Sequence, residues 1–110
     1  MKTIIAGGRD YKFTTKDIEF LDSIKNEISE VVCGEARGAD TYGKLWAKAN
    51  NIPVKSFPAN WDKFGKSAGY KRNQQMAQYS DSLVIFPGGK GTEHMFNIAT
   101  EKGLKIIDLR

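Results

Sequence analysis

The sequence predicts an α/β domain of Rossmann type, a doubly wound parallel sheet of five strands in the order 3-2-1-4-5, and three observations carry that expectation. Short apolar runs alternate with amphipathic helical stretches along the whole chain. The runs are nearly continuous in apolar residues, as strands covered on both faces of a parallel sheet require. Glycines and charged residues gather in the segments that lead from strand to helix, whereas those from helix to strand are bland.

The elements follow in order. A first strand over 2–6 runs into Gly7-Gly8-Arg9-Asp10. A helix over 16–28 carries Ile18, Leu21, Ile24 and Ile28 on one stripe, with Thr14 or Thr15 as its N-cap. A second strand over 30–33 leads through Gly34-Glu35-Ala36-Arg37-Gly38-Ala39-Asp40 to a helix over 40–50, where Tyr42, Leu45, Trp46 and Ala49 recur at helical spacing. A third strand over 54–57 is followed by a long loop from Pro58 to Lys66. The next helix, over 69–79, buries Met76 and Ala77. A fourth strand over 82–86 meets Pro87-Gly88-Gly89-Lys90-Gly91-Thr92 and a helix over 92–102 that offers Met95, Ile98 and Ala99 to the core. Gly103 stands where a helix-ending glycine belongs, before a last strand over 105–108. Strict strand–helix alternation implies crossover connections and parallel strands.

Composition sets the outer bounds. The 110 residues have room for one domain, 1–110, and 40% hydrophobic with 27% charged residues is ordinary for a globular chain. The longest apolar runs, such as Leu83-Val84-Ile85-Phe86, exclude a bilayer-spanning helix, and the apolar start is too short for a signal-peptide core. Cys33 is the single cysteine; it excludes an internal disulfide, suits a reducing compartment and reads as a small core residue. A cytoplasmic location is the expectation. No cluster of His, Cys and Asp has metal-ligand spacing, so neither a metal nor a bound cofactor is expected. The net charge of +4 favours anionic partners. The lysines are scattered rather than blocked, which argues against a dedicated DNA-binding arm.

All four strand-to-helix loops belong to the carboxyl edge of the sheet, where open α/β sheets hold ligands at the switch point between the first and fourth strands. Glycine-rich turns let backbone N–H groups approach an anion, and the helix behind each adds a partial positive charge. Gly88, Gly89 and Gly91 before Thr92 fit a phosphate cradle, and Gly7, Gly8, Gly34 and Gly38 line the neighbouring loops. Arg9, Arg37 and Arg72 offer bidentate contacts to phosphate or ribose-bearing ligands. Asp10 and Asp40 suit ribose hydroxyls or caps, and Trp61 suits base stacking or packing. His94, the single histidine, stands near a helix start as a neutral hydrogen-bond partner or a solvated ring.

The motifs Ala6-Gly7-Gly8-Arg9-Asp10, Gly34-x-Ala36-Arg37-Gly38-Ala39-Asp40 and the stretch from Phe57-Pro58-Ala59-Asn60-Trp61-Asp62 to Arg72-Asn73 resemble the YspA-type branch of the SLOG superfamily. The segment from Arg72 to Pro87-Gly88-Gly89-x-Gly91-Thr92 also resembles the LONELY GUY phosphoribohydrolases, which cut the base from nucleoside monophosphates. The first resemblance implies a Rossmann-like sensor or processor of a nucleotide-derived ligand, of nucleoside monophosphate, ADP-ribose or cyclic ADP-ribose type. It implies a homo-oligomer as well, which a stripe of Tyr42 and Trp46 would suit. The second pattern departs at its catalytic centre: Met95 stands at the glutamate position and Asn73 at the lysine position, while Arg72 is kept. Glu93 lies about 200° round the helix from Met95 and is a poor substitute. Ligand binding at Gly7, Gly8, Arg9, Asp10, Gly34, Arg37, Gly38, Asp40, Trp61, Arg72, Asn73, Pro87, Gly88, Gly89, Gly91 and Thr92 is therefore the leading expectation. The alternatives are N-glycosidic hydrolysis, using Arg72 with Asp10, Glu35 or Asp40, and single-stranded nucleic-acid binding. The latter is suggested by charge and by a related Rossmann domain in a DNA-processing protein.

Overall fold

Alternate residues of the first strand point to opposite apolar layers, and this decides on which face each helix lies. The computed structural model describes residues 1–34 and 37–110. Its strands are β1 (Lys2–Ala6), β2 (Glu30–Cys33), β3 (Val54–Ser56), β4 (Ser82–Ile85) and β5 (Lys105–Asp108). Its helices are α1 (Thr15–Ile24), α2 (Ala39–Ala49), α3 (Trp61–Phe64), α4 (Ala68–Tyr79) and α5 (Lys90–Glu101). All strand pairs are parallel and the order is β3-β2-β1-β4-β5, the predicted arrangement.

Ile5 with Val31, Val84 and Phe86 faces Leu21, Trp46 and Ala47, so α1 and α2 cover one side. Ile4 with Val32, Leu83 and Ile85 faces Met76, Ala77, Met95 and Ile98, so α4 and α5 cover the other. Fully burying each such aliphatic side chain contributes about 1.5–3 kcal/mol, which makes the two layers the main source of stability. The wound direction reverses between β1 and β4. Their carboxyl ends diverge into helices on opposite faces, and a crevice opens there.

Several boundaries differ from expectation for local reasons. The first helix stops at Ile24, and a 3₁₀ turn, Lys25–Glu27, closed by Ile28 N–H to Lys25 C=O, still delivers Ile28 to the core. Of the two candidate caps Thr14 is the one used, in a reciprocal capping box with Asp17. The segment expected as a continuous loop contains α3, a single turn begun by Asn60, whose side chain accepts from Lys63 N–H. The fourth large helix starts at Lys90 rather than Thr92, because Gly89 serves as N-cap and Gly91 lies within the first turn. Phe57 and Phe86 fall just outside the assigned strands, yet each N–H still donates to the neighbouring strand, at Cys33 and Ala6. Among the described residues no helix is long and apolar enough to cross a membrane.

Candidate functional site

At the carboxyl ends of β1 and β4 a cleft of about 770 Å³ opens, a size typical of small-molecule sites. The loops after β1, β2, β3 and β4 and the helices α2, α3, α4 and α5 build its wall. Gly7, Gly8 and Arg9 come from the loop after β1; Gly34, Arg37 and Asp40 come from the loop and helix after β2. Pro58, Ala59 and Trp61 form one rim. Arg72, Asn73 and Met76 of α4 stand beside Gly89, Lys90, Gly91, Thr92 and Met95 of α5.

Gly8 ties this edge together. Its N–H donates to Pro87 C=O at 2.8 Å, and its own carbonyl accepts from Ala39 N–H and Tyr11 N–H, both at 3.2 Å. The loops after β1, β2 and β4 therefore touch backbone to backbone. Gly38, with φ of 79°, lies against the carbonyls of Gly8 and Arg9, where any side chain would overlap them. A methyl at Gly88 would overlap the Thr92 side chain and the Gly8 nitrogen.

The electrostatics are one-sided. Arg9, Arg37, Arg72 and Lys90 all line the cleft, and Asp40 is the carboxylate among its described lining residues. Asp40 is buried and accepts from Gly34 N–H at 3.2 Å. Arg72 lies across Gly34, its Nη1 donating to the Gly34 carbonyl at 2.6 Å and its Nε to Asn73 Oδ1 at 3.3 Å. Burial pushes the Arg72 guanidinium below its ordinary value; the charge of Asp40 raises it and that of Arg9 lowers it again. A guanidinium in this range stays charged at neutral pH.

The start of α5 faces the same space. The first N–H groups of a helix have no partner within it. Among the described residues none accepts from the N–H groups of Lys90, Gly91 or Thr92. With Lys90 exposed beside them, these groups give this corner a positive potential. The floor opposite is apolar: Ala6, Met76 and Met95, with Met95 at 2% exposure.

The expected site residues divide accordingly. Gly7, Gly8, Arg9, Gly34, Arg37, Asp40, Trp61, Arg72, Asn73, Gly89, Gly91 and Thr92 come together on the cleft. Gly38, Pro87 and Gly88 are not on its lining; Gly38 and Gly88 hold the loops against each other behind it. Asp10 is also off the lining, because Gly8 C=O accepts from Tyr11 N–H across a tight turn that sends its side chain to solvent. Glu35 falls outside the described residues. Asp40 braces Gly34 from inside α2, whose N-cap is Gly38. Ala6, Pro58, Ala59, Met76, Lys90 and Met95 line the cleft without having been expected as ligand-binding residues. The signal that could have found Lys90 was its place among the glycines of the loop after β4, as a cation next to a helix start. Among the described residues no three His, Cys, Asp or Glu side chains converge as metal ligands.

Comparison with known proteins adds a lineage. Residues 1–64 match the family model of the YspA, cpYpsA-related SLOG family (YAcAr). That match ends before α4 and α5, so it does not include Arg72 or the glycine loop after β4. The Gene 61 protein of Mycobacterium phage D29 is 31% identical over 121 residues, covering 97% of this chain and 94% of that protein. The X-ray structure of DNA processing protein A (DprA) from Streptococcus pneumoniae superposes with a TM-score of 0.75 at 16% identity. That alignment covers 96% of this chain and 48% of the DprA chain, so this chain spans about half of it and the likeness is one of fold.

Proposed function

This chain belongs to the YspA, cpYpsA-related SLOG family, and from that premise we propose that it binds a nucleotide or nucleotide-derived small molecule in the switch-point cleft, as a sensing, carrying or sequestering domain. One observation carries the reading: N–H groups of the first turn of α5 that have no acceptor among the described residues and four cationic side chains converge on one cleft of nucleotide size. A phosphate at that corner would accept from the α5 amides with Lys90 beside it, and Arg9 and Arg37 would reach the ligand from the facing loops. Trp61, 54% exposed on the rim, is available to stack on a base.

The floor argues against glycosidic hydrolysis. That chemistry needs a carboxylate at the sugar, to stabilise an oxocarbenium-like centre or to activate water. Among the described residues Met95 supplies neither, Asp40 accepts from Gly34 N–H, and Asp10 lies off the lining; Glu35 falls outside them. The test is a thermal-shift screen of the full chain against AMP, ADP-ribose, NAD and cyclic ADP-ribose, followed by a base-release assay on any binder. A ligand at a hundred times its dissociation constant adds about 2.7 kcal/mol, roughly 10–20 °C for a domain of this size. The expected result is a shift without turnover. Base release that disappears in Arg72→Ala would overturn the binding-only reading, and the absence of any shift across the panel would overturn the nucleotide reading itself.

A second reading rests on a separate observation. Trp61 and Tyr70 are exposed at the same end of the molecule as Lys63, Lys66 and Lys71, the combination of stacking faces and cations that single-stranded nucleic acid uses. A short oligonucleotide titrated at several salt concentrations tests it. Binding that weakens steeply with salt supports this reading, and flat or absent binding ends it.

A further inference from the structure

The cleft is crossed by a chain of hydrogen bonds that joins its two sides through one amide. Arg72 Nη1 donates to the carbonyl of Gly34, at the end of β2, and Arg72 Nε donates to Asn73 Oδ1. Asn73 Nδ2 then lies 3.3 Å from the carbonyl of Gly91 and 3.2 Å from His94 Nδ1, both at the start of α5. Asn73 is buried, at 6% exposure.

A primary amide has two N–H donors and one carbonyl. With Oδ1 accepting from Arg72, one N–H serves Gly91 and the other serves His94, so both donors of the amide are used. His94 Nδ1 must therefore present a lone pair, which makes the ring neutral with its proton on Nε2. No other side-chain type of this length completes the pattern. A lysine cannot accept from Arg72, an aspartate has no N–H for Gly91, and a leucine leaves three polar groups, Arg72 Nε, Gly91 C=O and His94 Nδ1, unpaired.

We propose that Asn73 is a positioning residue: its amide sets the first turn of α5, and with it the N–H groups facing the cleft, against Arg72 and the loop after β2. The proposal rests on the binding reading above for its consequence, but not for its geometry. The groups that face His94 are the Tyr70 ring, edge-on at 4.3 Å, and Asn73 from α4, with Lys90, Glu93, Asn97 and Glu101 from its own helix. Burial lowers the affinity of the ring for a second proton and Glu101 opposes that in part, so the acceptor state holds at neutral pH.

Because His94 is the single histidine, its ring nitrogens are assigned in a ¹⁵N spectrum of the whole chain without further variants. The expected spectrum at neutral pH is that of the Nε2–H tautomer. Asn73→Ala should release it to a mixture of tautomers, and Asn73→Asp should draw the proton to Nδ1 and move the titration upward. AMP, as the probe ligand, should bind Asn73→Ala about tenfold more weakly, the scale of one lost hydrogen-bond network member. His94→Asn keeps an acceptor at the Nδ1 position without a titrating ring, so it should hold AMP affinity within about twofold and leave between pH 5 and 7 only the dependence that the phosphate's own ionisation brings. A wild-type ring with its proton on Nδ1, or AMP affinity unchanged in a folded Asn73→Ala variant, would overturn the proposal. If wild type shows no affinity for AMP or the other nucleotides, the binding reading fails. The tautomer then decides alone whether Asn73 holds the start of α5, and Asn73→Asp decides the same point should Asn73→Ala not fold.

Discussion

Two helices begin at the same edge of the sheet after glycine-rich loops, and they use those glycines in opposite ways. At α2 the start is closed by protein. Gly38 is wedged against the carbonyls of Gly8 and Arg9, Ala39 N–H is taken by Gly8, and Asp40 is turned inward onto Gly34 N–H. At α5 the start is open. Gly89 and Gly91 have nothing within reach of an added methyl, and the first N–H groups face the cleft. Glycine therefore makes room for another segment of the chain at the first site and leaves open space at the second. The closed start fixes the geometry of the edge, and the open start is where we propose that a phosphate sits.

The largest effect expected from this contrast is on stability at the closed side. Gly38→Ala forces an L side chain into positive φ and into two carbonyls, and should cost about 3 kcal/mol, lowering Tm by roughly 10–20 °C. A loss within about 0.5 kcal/mol in urea denaturation would remove the distinction between the two starts. Next comes Asp40→Ala, which strips the Gly34 amide of its acceptor; about 1–3 kcal/mol of destabilisation is expected from the same measurement.

At the open side the sign reverses. Gly91→Ala lies in a helix with space around it, so it should stabilise the fold by about 0.5–1 kcal/mol. The same methyl stands at the mouth of the anion corner and should weaken nucleotide binding several-fold in calorimetry. A variant that is both less stable and unimpaired in binding would break the comparison at this end.

Two smaller effects are read through pH. Burial holds the folded-state value of His94 below the ordinary 6.5, so the unfolded chain takes up this proton first as pH falls. The stability is undiminished above about pH 7 and declines below the ordinary value until the folded ring also protonates. His94→Gln should remove that part of the decline in Tm between pH 7 and 5. On the closed side, Tyr11 donates to Asp17 Oδ2 at 2.6 Å, and that hydrogen bond pushes the phenol up to about 12. A raised value means that stability is fully present below pH 10 and is lost as pH climbs from 10 toward 12. Tyr11→Phe should flatten this alkaline loss, as followed by circular dichroism.

Most of the architecture was legible because it rests on short-range signals. Val31 and Val32 mark a strand covered on both faces, Thr14 with Asp17 marks a helix start, and Gly103 with φ of 75° marks a helix end. The single turn at α3 was less legible, since one Asn60 cap amid a loop carries little weight against Pro58 and Gly65. The site was legible as a sheet edge and as a set of residue types. Its internal division was not: Gly38 and Gly88 read the same as Gly89 and Gly91 until their neighbours are known.

The sequence by itself determined the alternation of strands and helices, their parallel winding and the edge at which unusual residues collect, because apolar period and turn chemistry are local properties of the chain. Only the tertiary structure decided that Asp10 turns to solvent, that Asp40 and Arg72 hold the N–H and the C=O of one residue, Gly34, and that Asn73 joins Gly91 to His94. Those contacts join residues distant in the chain, and a side chain's role among them depends on which donors and acceptors the fold brings within about 3 Å of it.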